Sequence, residues 1–371
     1  MAGQVGRYAY LNAKLRARLS TMLDEEFFER VAACPTLSEA VSLFGETAYR
    51  ELAELFDRTG DLKSIELALL TSQIESFNEI RSQTEDPVAK MIDSLELKLE
   101  IGVLKHALRL WFDRVVRGRS IEERMPYLYH GTISTPMEID EVISAPNLDE
   151  IAAVLRKTPY ADIVAHSSAA VESEGTLFPI EAALDRHYFH TLLQTIDLLP
   201  VQDREVARRL VGIQIDLENI GRLVRFKEAY GLRADQIASN LIPQGRRVSP
   251  QVAQSVLGAD SSSARIAEIV GEEYPELSAM LSSARASAPL PARLLLIERV
   301  LEEILAIEVR RTLAGYPFTI GVVLAYFILE ERELKRIRTL LHAAFYGRAG
   351  RRGNGASPAS RPAGGTAEES M

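Results

Sequence analysis

The chain has 371 residues, of which 47% are apolar and 26% charged, and its formal net charge is -9. This is the composition of a folded chain long enough for two or three domains, and the acidic balance excludes a general nucleic-acid binder, which needs a basic face to displace phosphate counterions. One cysteine, Cys34, excludes both a disulfide framework and a thiolate metal cluster.

From the N-terminus, Met1 to Arg18 carries basic residues without an uninterrupted apolar core, so it does not read as a secretory signal. Leu11, Leu15, Leu19 and Leu23 recur every four residues and predict one apolar stripe on a helix. Thr36-Leu-Ser-Glu39 and Asn147-Leu-Asp-Glu150 each place a side-chain acceptor at a helix start and a carboxylate three residues on, which predicts two N-caps. Trp111 and Phe112 close an amphipathic helix and are expected in the core. Thr312 to Leu329 runs without a formal charge, but Gly315, Pro317 and Gly321 make its first third a loop entering a buried helix. The remaining apolar run is shorter than the roughly 20 residues of a membrane span. Gly350 to Met371 is rich in Gly, Ala, Ser and Pro and is expected to be a disordered tail, residues 350–371. Sustained strand-like alternation is found nowhere, so the fold class is all-α.

The order within that class comes from internal repetition. Leu37-Ser-Glu-Ala…Thr47-Ala-Tyr49 is echoed by Leu148-Asp-Glu-Ile…Thr158-Pro-Tyr160 at an offset of 111, and a weaker third copy ends at Tyr274. Ile65-Glu-Leu-Ala-Leu69 recurs at Ile180 and Ile297, with offsets of 115 and 117. Glu100-Ile…Leu104…Arg109 recurs as Asp216-Leu…Ile220…Arg225 and Glu333-Leu…Ile337…His342, with offsets of 116 and 117. Leu128-Tyr-His-Gly131 is matched by Ile242-Pro-Gln-Gly245 at 114. Four landmarks in one order at nearly constant offset divide the chain into three diverged multi-helix repeats, 1–131, 132–245 and 246–349. Three copies in a row predict pseudo-threefold symmetry.

On a helical wheel of about 100° per residue, the acids Glu100, Asp216 and Glu333 fall inside the apolar arc of their helices. A carboxylate there must find a partner or suffer desolvation, so each is expected to make a structural contact within its own repeat. Arg109, Arg225 and His342 fall on the opposite face and are free to meet something else. If their three helices surround a cavity, these residues form a weakly positive collar for a partner; otherwise they make ordinary local ion pairs.

No sequence pattern for chemistry stands out. A phosphate-cradling glycine loop is missing, so binding of ATP is not expected. His187 and His190 near Asp185 approach metal-ligand spacing, but no third ligand is evident, and they read as a polar helix face. No catalytic, cofactor or metal residue is assigned.

Particular strings carry a resemblance. Tyr8-Ala-Tyr10-Leu-Asn12-Ala13-Lys-Leu-Arg16, Asp216-Leu-Glu-Asn219-Ile220, and Pro317-Phe318-Thr-Ile320 with Ala325-Tyr326…Glu331-x-Glu333-Leu-Lys-Arg336-Ile337-Arg338 are similar to the signatures of the C subunit of A/V-type rotary ATPases, homologous to the d subunit of the eukaryotic V-ATPase. The match covers about residues 7 to 346. The sequence departs from the family's pattern at Glu330, where lysine is usual, and at Arg336 and Val103, where asparagine is usual. The resemblance implies a funnel-like, all-helical, non-catalytic adaptor at the cytoplasmic face of the membrane rotor ring. The central stalk would insert into it, and it would transmit torque between stalk and ring without a transmembrane segment or cofactor of its own. A helical scaffold for another multi-subunit assembly is the competing expectation.

Overall fold

Apolar residues spaced three and four apart fold as the pattern dictates. The computed structural model describes residues 2–224, 237, 240–259, 262–283 and 289–353, and among these every regular element is helical and no strand occurs. In chain order the α-helices are α1 (Ala2–Leu19), α2 (Glu25–Ala33), α3 (Leu37–Ser42), α4 (Arg50–Thr59), α5 (Leu62–Arg81), α6 (Val88–Val115), α7 (Ile139–Ser144), α8 (Leu148–Val154), α9 (Ala161–Glu174), α10 (Phe178–Asp197) and α11 (Val201–Val224). They continue with α12 (Pro250–Gly258), α13 (Ser262–Gly271), α14 (Pro275–Ser283), α15 (Leu290–Ala314) and α16 (Gly321–Gly353).

Local chemistry repeats as the sequence does. The Thr36 hydroxyl accepts the Glu39 N–H at 3.1 Å and the Asn147 side chain accepts the Glu150 N–H at 2.9 Å, so both expected caps form, opening α3 and α8. In each of the two Thr-x-Tyr strings the threonine hydroxyl donates to a carbonyl three residues back, Phe44 or Leu155. It also accepts the tyrosine N–H, at 3.0 Å for Tyr49 and 3.1 Å for Tyr160. Helices α4 and α9 then end on Gly60 and Gly175, whose φ of 63° and 64° is the left-handed turn that only glycine takes without strain. Ile65, Ile180 and Ile297 are all buried, each in the N-terminal half of a long helix.

The chain forms two compact units. One comprises residues 1–21 and 69–331. Within it α6 packs on α10 and α11 on α15. The Phe77 and Phe327 rings stack at 3.9 Å, and Trp111, buried as expected, donates its indole N–H to the Ala145 carbonyl at 2.9 Å. The other unit comprises residues 22–68 and 332–371. Its core holds Phe27, Phe28, Val31 and Phe44, with Phe27 edge-on to Phe44 at 5.2 Å.

Two expectations are refined. The stripe of α1 is buried through Leu11 and Leu15, but the helix stops at Leu19, so Leu23 lies beyond it in the link to α2. Residues 315–320 form the loop that enters α16, and among the described residues no helix is long and apolar enough to cross a membrane. The backbone of α16 runs to Gly353; the rest of the expected tail, residues 354–371, lies outside the described residues.

Candidate functional site

Three buried carboxylates occupy the equivalent sequence landmarks Glu100, Asp216 and Glu333. Glu100, 0% exposed on α6, accepts the backbone N–H groups of Ser134 and Thr135 at 2.7 and 2.5 Å and the Tyr160 hydroxyl at 2.5 Å. Asp216, buried on α11, accepts the N–H groups of Arg247 and Val248 at 2.8 and 2.9 Å. Glu333, buried on α16, accepts the Leu23 N–H and the Tyr49 hydroxyl, both at 2.6 Å. The wheel placement of the three acids inside the apolar arc is therefore realised, but the expected partner is corrected. Every carboxylate meets residues beyond the bounds expected for its own repeat: Glu100 meets Ser134, Thr135 and Tyr160, Asp216 meets Arg247 and Val248, and Glu333 meets Leu23 and Tyr49. A wheel shows which face a residue lies on and not which segment covers that face.

Differences among the three joints follow from side-chain length and burial. Aspartate is one methylene shorter than glutamate, and Asp216 engages only the backbone; Tyr274, the landmark counterpart of Tyr49 and Tyr160, donates instead to the buried Glu308 at 3.0 Å. Burial pushes the Asp216 carboxyl up to about 6 against the opposing pull of the Val248 and Arg247 N–H groups. Burial likewise raises Glu333, opposed by Tyr49 and the Leu23 N–H. Beside Glu100, burial and then the charge of Asp93 push Glu96 up to about 7; its carboxylate faces the Ser134 hydroxyl at 3.4 Å. Gly245 is required at the second joint, because a Cβ there would run into the Asp216 carboxylate.

Three unlike residues occupy the repeat position one helical turn after these acids. Asn219 brackets Ile242, donating to its carbonyl and accepting its N–H, each at 2.8 Å. Val103 is buried apolar surface, and Arg336 lies over the Phe28 ring at 4.1 Å and pairs with Glu25. The departure at Glu330 is also accommodated: it accepts the Tyr326 hydroxyl at 2.8 Å, and that hydroxyl lies 3.1 Å from Ser76. The N-terminal and C-terminal signatures meet on Asp203, which accepts the Tyr8 hydroxyl and the Ile320 N–H, both at 2.9 Å.

The basic positions are described in two of three cases. Arg109 donates to Glu181 at 2.7 Å while its side chain stays 60% exposed, at the edge of a cavity of about 690 Å³ that Phe112, Arg117, Arg124 and Phe178 also line. His342 pairs with Glu66 and stacks on Tyr346. Arg225 lies outside the described residues. Glu66 and Glu181 are themselves repeat equivalents, following Ile65 and Ile180, so both pairs join the same two repeat positions. Sequence reasoning missed these glutamates and the tyrosine partners, although the landmark strings contain them; the missing step was to ask which landmark meets which. His187 packs edge-on to Tyr160, its pKa lowered by burial and by His190. Among the described residues no three ligand-type side chains gather.

Comparison with known proteins gives one consistent result. The family described as ATP synthase (C/AC39) subunit matches residues 11–351. The C subunit of the A-type ATP synthase of Methanothermobacter thermautotrophicus is 25% identical over 90% of this chain and 83% of its own length. The proteins of the same name from Haloferax volcanii and Thermococcus kodakarensis are 27% and 26% identical, covering 89% and 90% of this chain and 91% and 86% of their own.

Proposed function

The chain belongs to the ATP synthase (C/AC39) subunit family, an accessory rather than catalytic part of the rotary complex, and from that premise we propose that it is the adaptor of the central rotor. It links the central stalk to the cytoplasmic face of the membrane rotor ring and passes torque between them, peripheral to the membrane and without chemistry of its own. The observation that carries this reading is the set of three buried carboxylates, each fastening one repeat to another through backbone N–H groups. Hydrogen bonds to a buried charge are the strong kind, and breaking them leaves uncompensated polar groups. A part that must turn without yielding needs its joints made in this way.

The same cyclic pattern of contacts supports the pseudo-threefold, funnel-like arrangement of repeats 1–131, 132–245 and 246–349. Within it Arg109, Arg225 and His342 form a collar facing the stalk; in this reading the pairs with Glu181 and Glu66 hold the basic groups in place, and the exposed Arg109 guanidinium remains open to a second acidic partner. The adaptor role is tested by assembling the rotary complex with and without this chain. The expected outcome is that its omission leaves ATP hydrolysis by the head intact and abolishes coupled ion transport. Coupled transport without the chain sinks the proposal and favours a scaffold elsewhere in the assembly. For the collar, Arg109→Glu with Arg225→Glu should leave the fold intact and weaken stalk binding, most at low salt where charge is least screened. Unchanged stalk affinity eliminates it.

A further inference from the structure

Glu96 is a buried carboxylate outside the three joints. It stands one helical turn before Glu100 on α6, is 6% exposed, and its Oε1 has no hydrogen-bond partner. Its Oε2 faces the Ser134 hydroxyl at 3.4 Å, beyond the usual length of such a bond. Glu100 beside it is fully engaged: Oε1 takes the Tyr160 hydroxyl, and Oε2 takes the N–H groups of Ser134 and Thr135. A buried carboxyl without an ion pair or a good hydrogen bond is disfavoured as an anion and tolerated as a neutral acid.

The surrounding charges act in the same direction. On α6 itself, Asp93 lies one turn before Glu96 and Glu100 one turn after. Arg81, at the end of α5, opposes them, but it donates to both oxygens of Asp93, at 2.9 and 3.2 Å. On α7, which packs on α6, Asp140 and Glu141 are exposed, and Asp140 pairs with His130. Helix α10 meets α6 through Thr195 and Ser94, 2.8 Å apart, and Ser94 lies about 200° round the helix from Glu96. His187 of α10, against the Tyr160 ring, is held below its ordinary range by burial and by His190. Burial and then Asp93 push the Glu96 carboxyl up to about 7, with Glu100 adding and the Ser134 hydroxyl and Arg81 opposing.

The segment Gly131-Thr-Ile-Ser-Thr-Pro136 lies across these two acids. None of its residues is buried, and among the described residues it forms no backbone–backbone hydrogen bond. Its ties are the two N–H groups on Glu100 and the Ser134 hydroxyl facing Glu96. It therefore has neither a ladder nor an apolar anchor to hold it when those ties weaken.

We propose that residues 131–136 form a pH-sensitive strap, closed on α6 while Glu96 holds a proton and lifted from Glu100 when that proton passes to solvent. An ionised Glu96 needs water, and the weakly tied strap is the cover that yields. With the strap lifted, the carboxyl returns toward its ordinary range. Opening is thus favoured progressively as pH rises from that range to about 7, and levels above it. This device stands on the geometry of the first joint and is independent of the adaptor role.

Hydrogen exchange of the full chain tests it, read by mass spectrometry on peptides covering 132–137 and corrected for the intrinsic acceleration of exchange with pH. Protection there should fall about tenfold or more between pH 5 and 7.5, since each pKa unit is a tenfold change in the opening equilibrium. Peptides from the middle of α6 and α10 should change less. Glu96→Gln, neutral at every pH, should abolish the dependence. Asp93→Asn, at an exposed site, removes a like charge and should end the fall at a lower pH; it serves as the test should the glutamine variant not fold. Protection at 132–137 that is flat with pH in the parent overturns the proposal. So does a fall that persists in the folded glutamine variant, an unchanged profile in Asp93→Asn, or an equal fall across α6 and α10, which would be unfolding of the whole unit.

Discussion

At the scale of single residues the joints make sharp predictions. Glu100→Ala removes the acceptor for two backbone N–H groups and one buried hydroxyl, each costing about 1–3 kcal/mol when left unmet, so it should destabilise by about 3 kcal/mol or more. Tyr160→Phe removes a single donor and should cost about 1–2 kcal/mol; denaturant unfolding of both variants checks the ranking. Gly245→Ala forces a Cβ against Asp216 and should cost about 1–3 kcal/mol, as overpacking does. The acids also set a pH dependence. Asp216 at about 6 and Glu96 at about 7 bind protons more tightly in the folded chain than in the unfolded one. Stability contributed by the protonated forms is full below the ordinary carboxylate range, falls as pH rises from about 4 to about 7, and levels above that. The loss should be on the order of 2–3 kcal/mol per group, since each pKa unit between folded and unfolded chain is worth about 1.36 kcal/mol. Glu96→Gln should flatten the upper part of the slope in denaturant midpoints measured from about pH 4.5 to 8. Asp113, Glu79 and Glu273, held below the usual carboxylate range by arginine or lysine partners, act in the opposite sense at lower pH; within the window Glu333, raised by burial, adds to the slope and His187, lowered by burial and by His190, opposes it.

At the scale of elements, much of the structure is legible in the sequence. Thr36 and Asn147 announce their helices because an N-cap is a local event, complete within four residues. Asn147→Ala should cost about 1 kcal/mol in thermal or denaturant unfolding, whereas Thr176→Ala, whose hydroxyl accepts the Phe178 N–H at a longer 3.3 Å, should cost less. The end of α1 at Leu19 was not legible, since the leucine period continues past it to Leu23 and the break is set by the Leu23 N–H turning to a carboxylate 310 residues away. The joints were legible by half. Each acid was found by its place in an apolar arc, and its partners were invisible because nothing within a helix encodes what packs on it. Arg109 and His342 show the same limit: the wheel placed them opposite the core, and only coordinates paired them with Glu181 and Glu66.

At the scale of the whole molecule, one of the three joints differs from the others in how far apart its partners lie along the chain. Glu100 and Ser134 are 34 residues apart and Asp216 and Arg247 are 31, but Glu333 and Leu23 are separated by 310. The first two can form as soon as the next few tens of residues emerge from a ribosome. The third cannot form until almost the entire chain exists. At about 5–20 residues per second, the helices that precede α5 wait roughly 15–60 s for the carboxylate that completes their surroundings. During that interval Phe27, Phe28 and Phe44 lack the Arg336 and Glu333 side of their core, so a segment made well before Glu333 is finished only after it. Nascent chains arrested before residue 332 should therefore be cut by protease between residues 22 and 68 while the segment 134–224 resists. Release of the full chain should protect both.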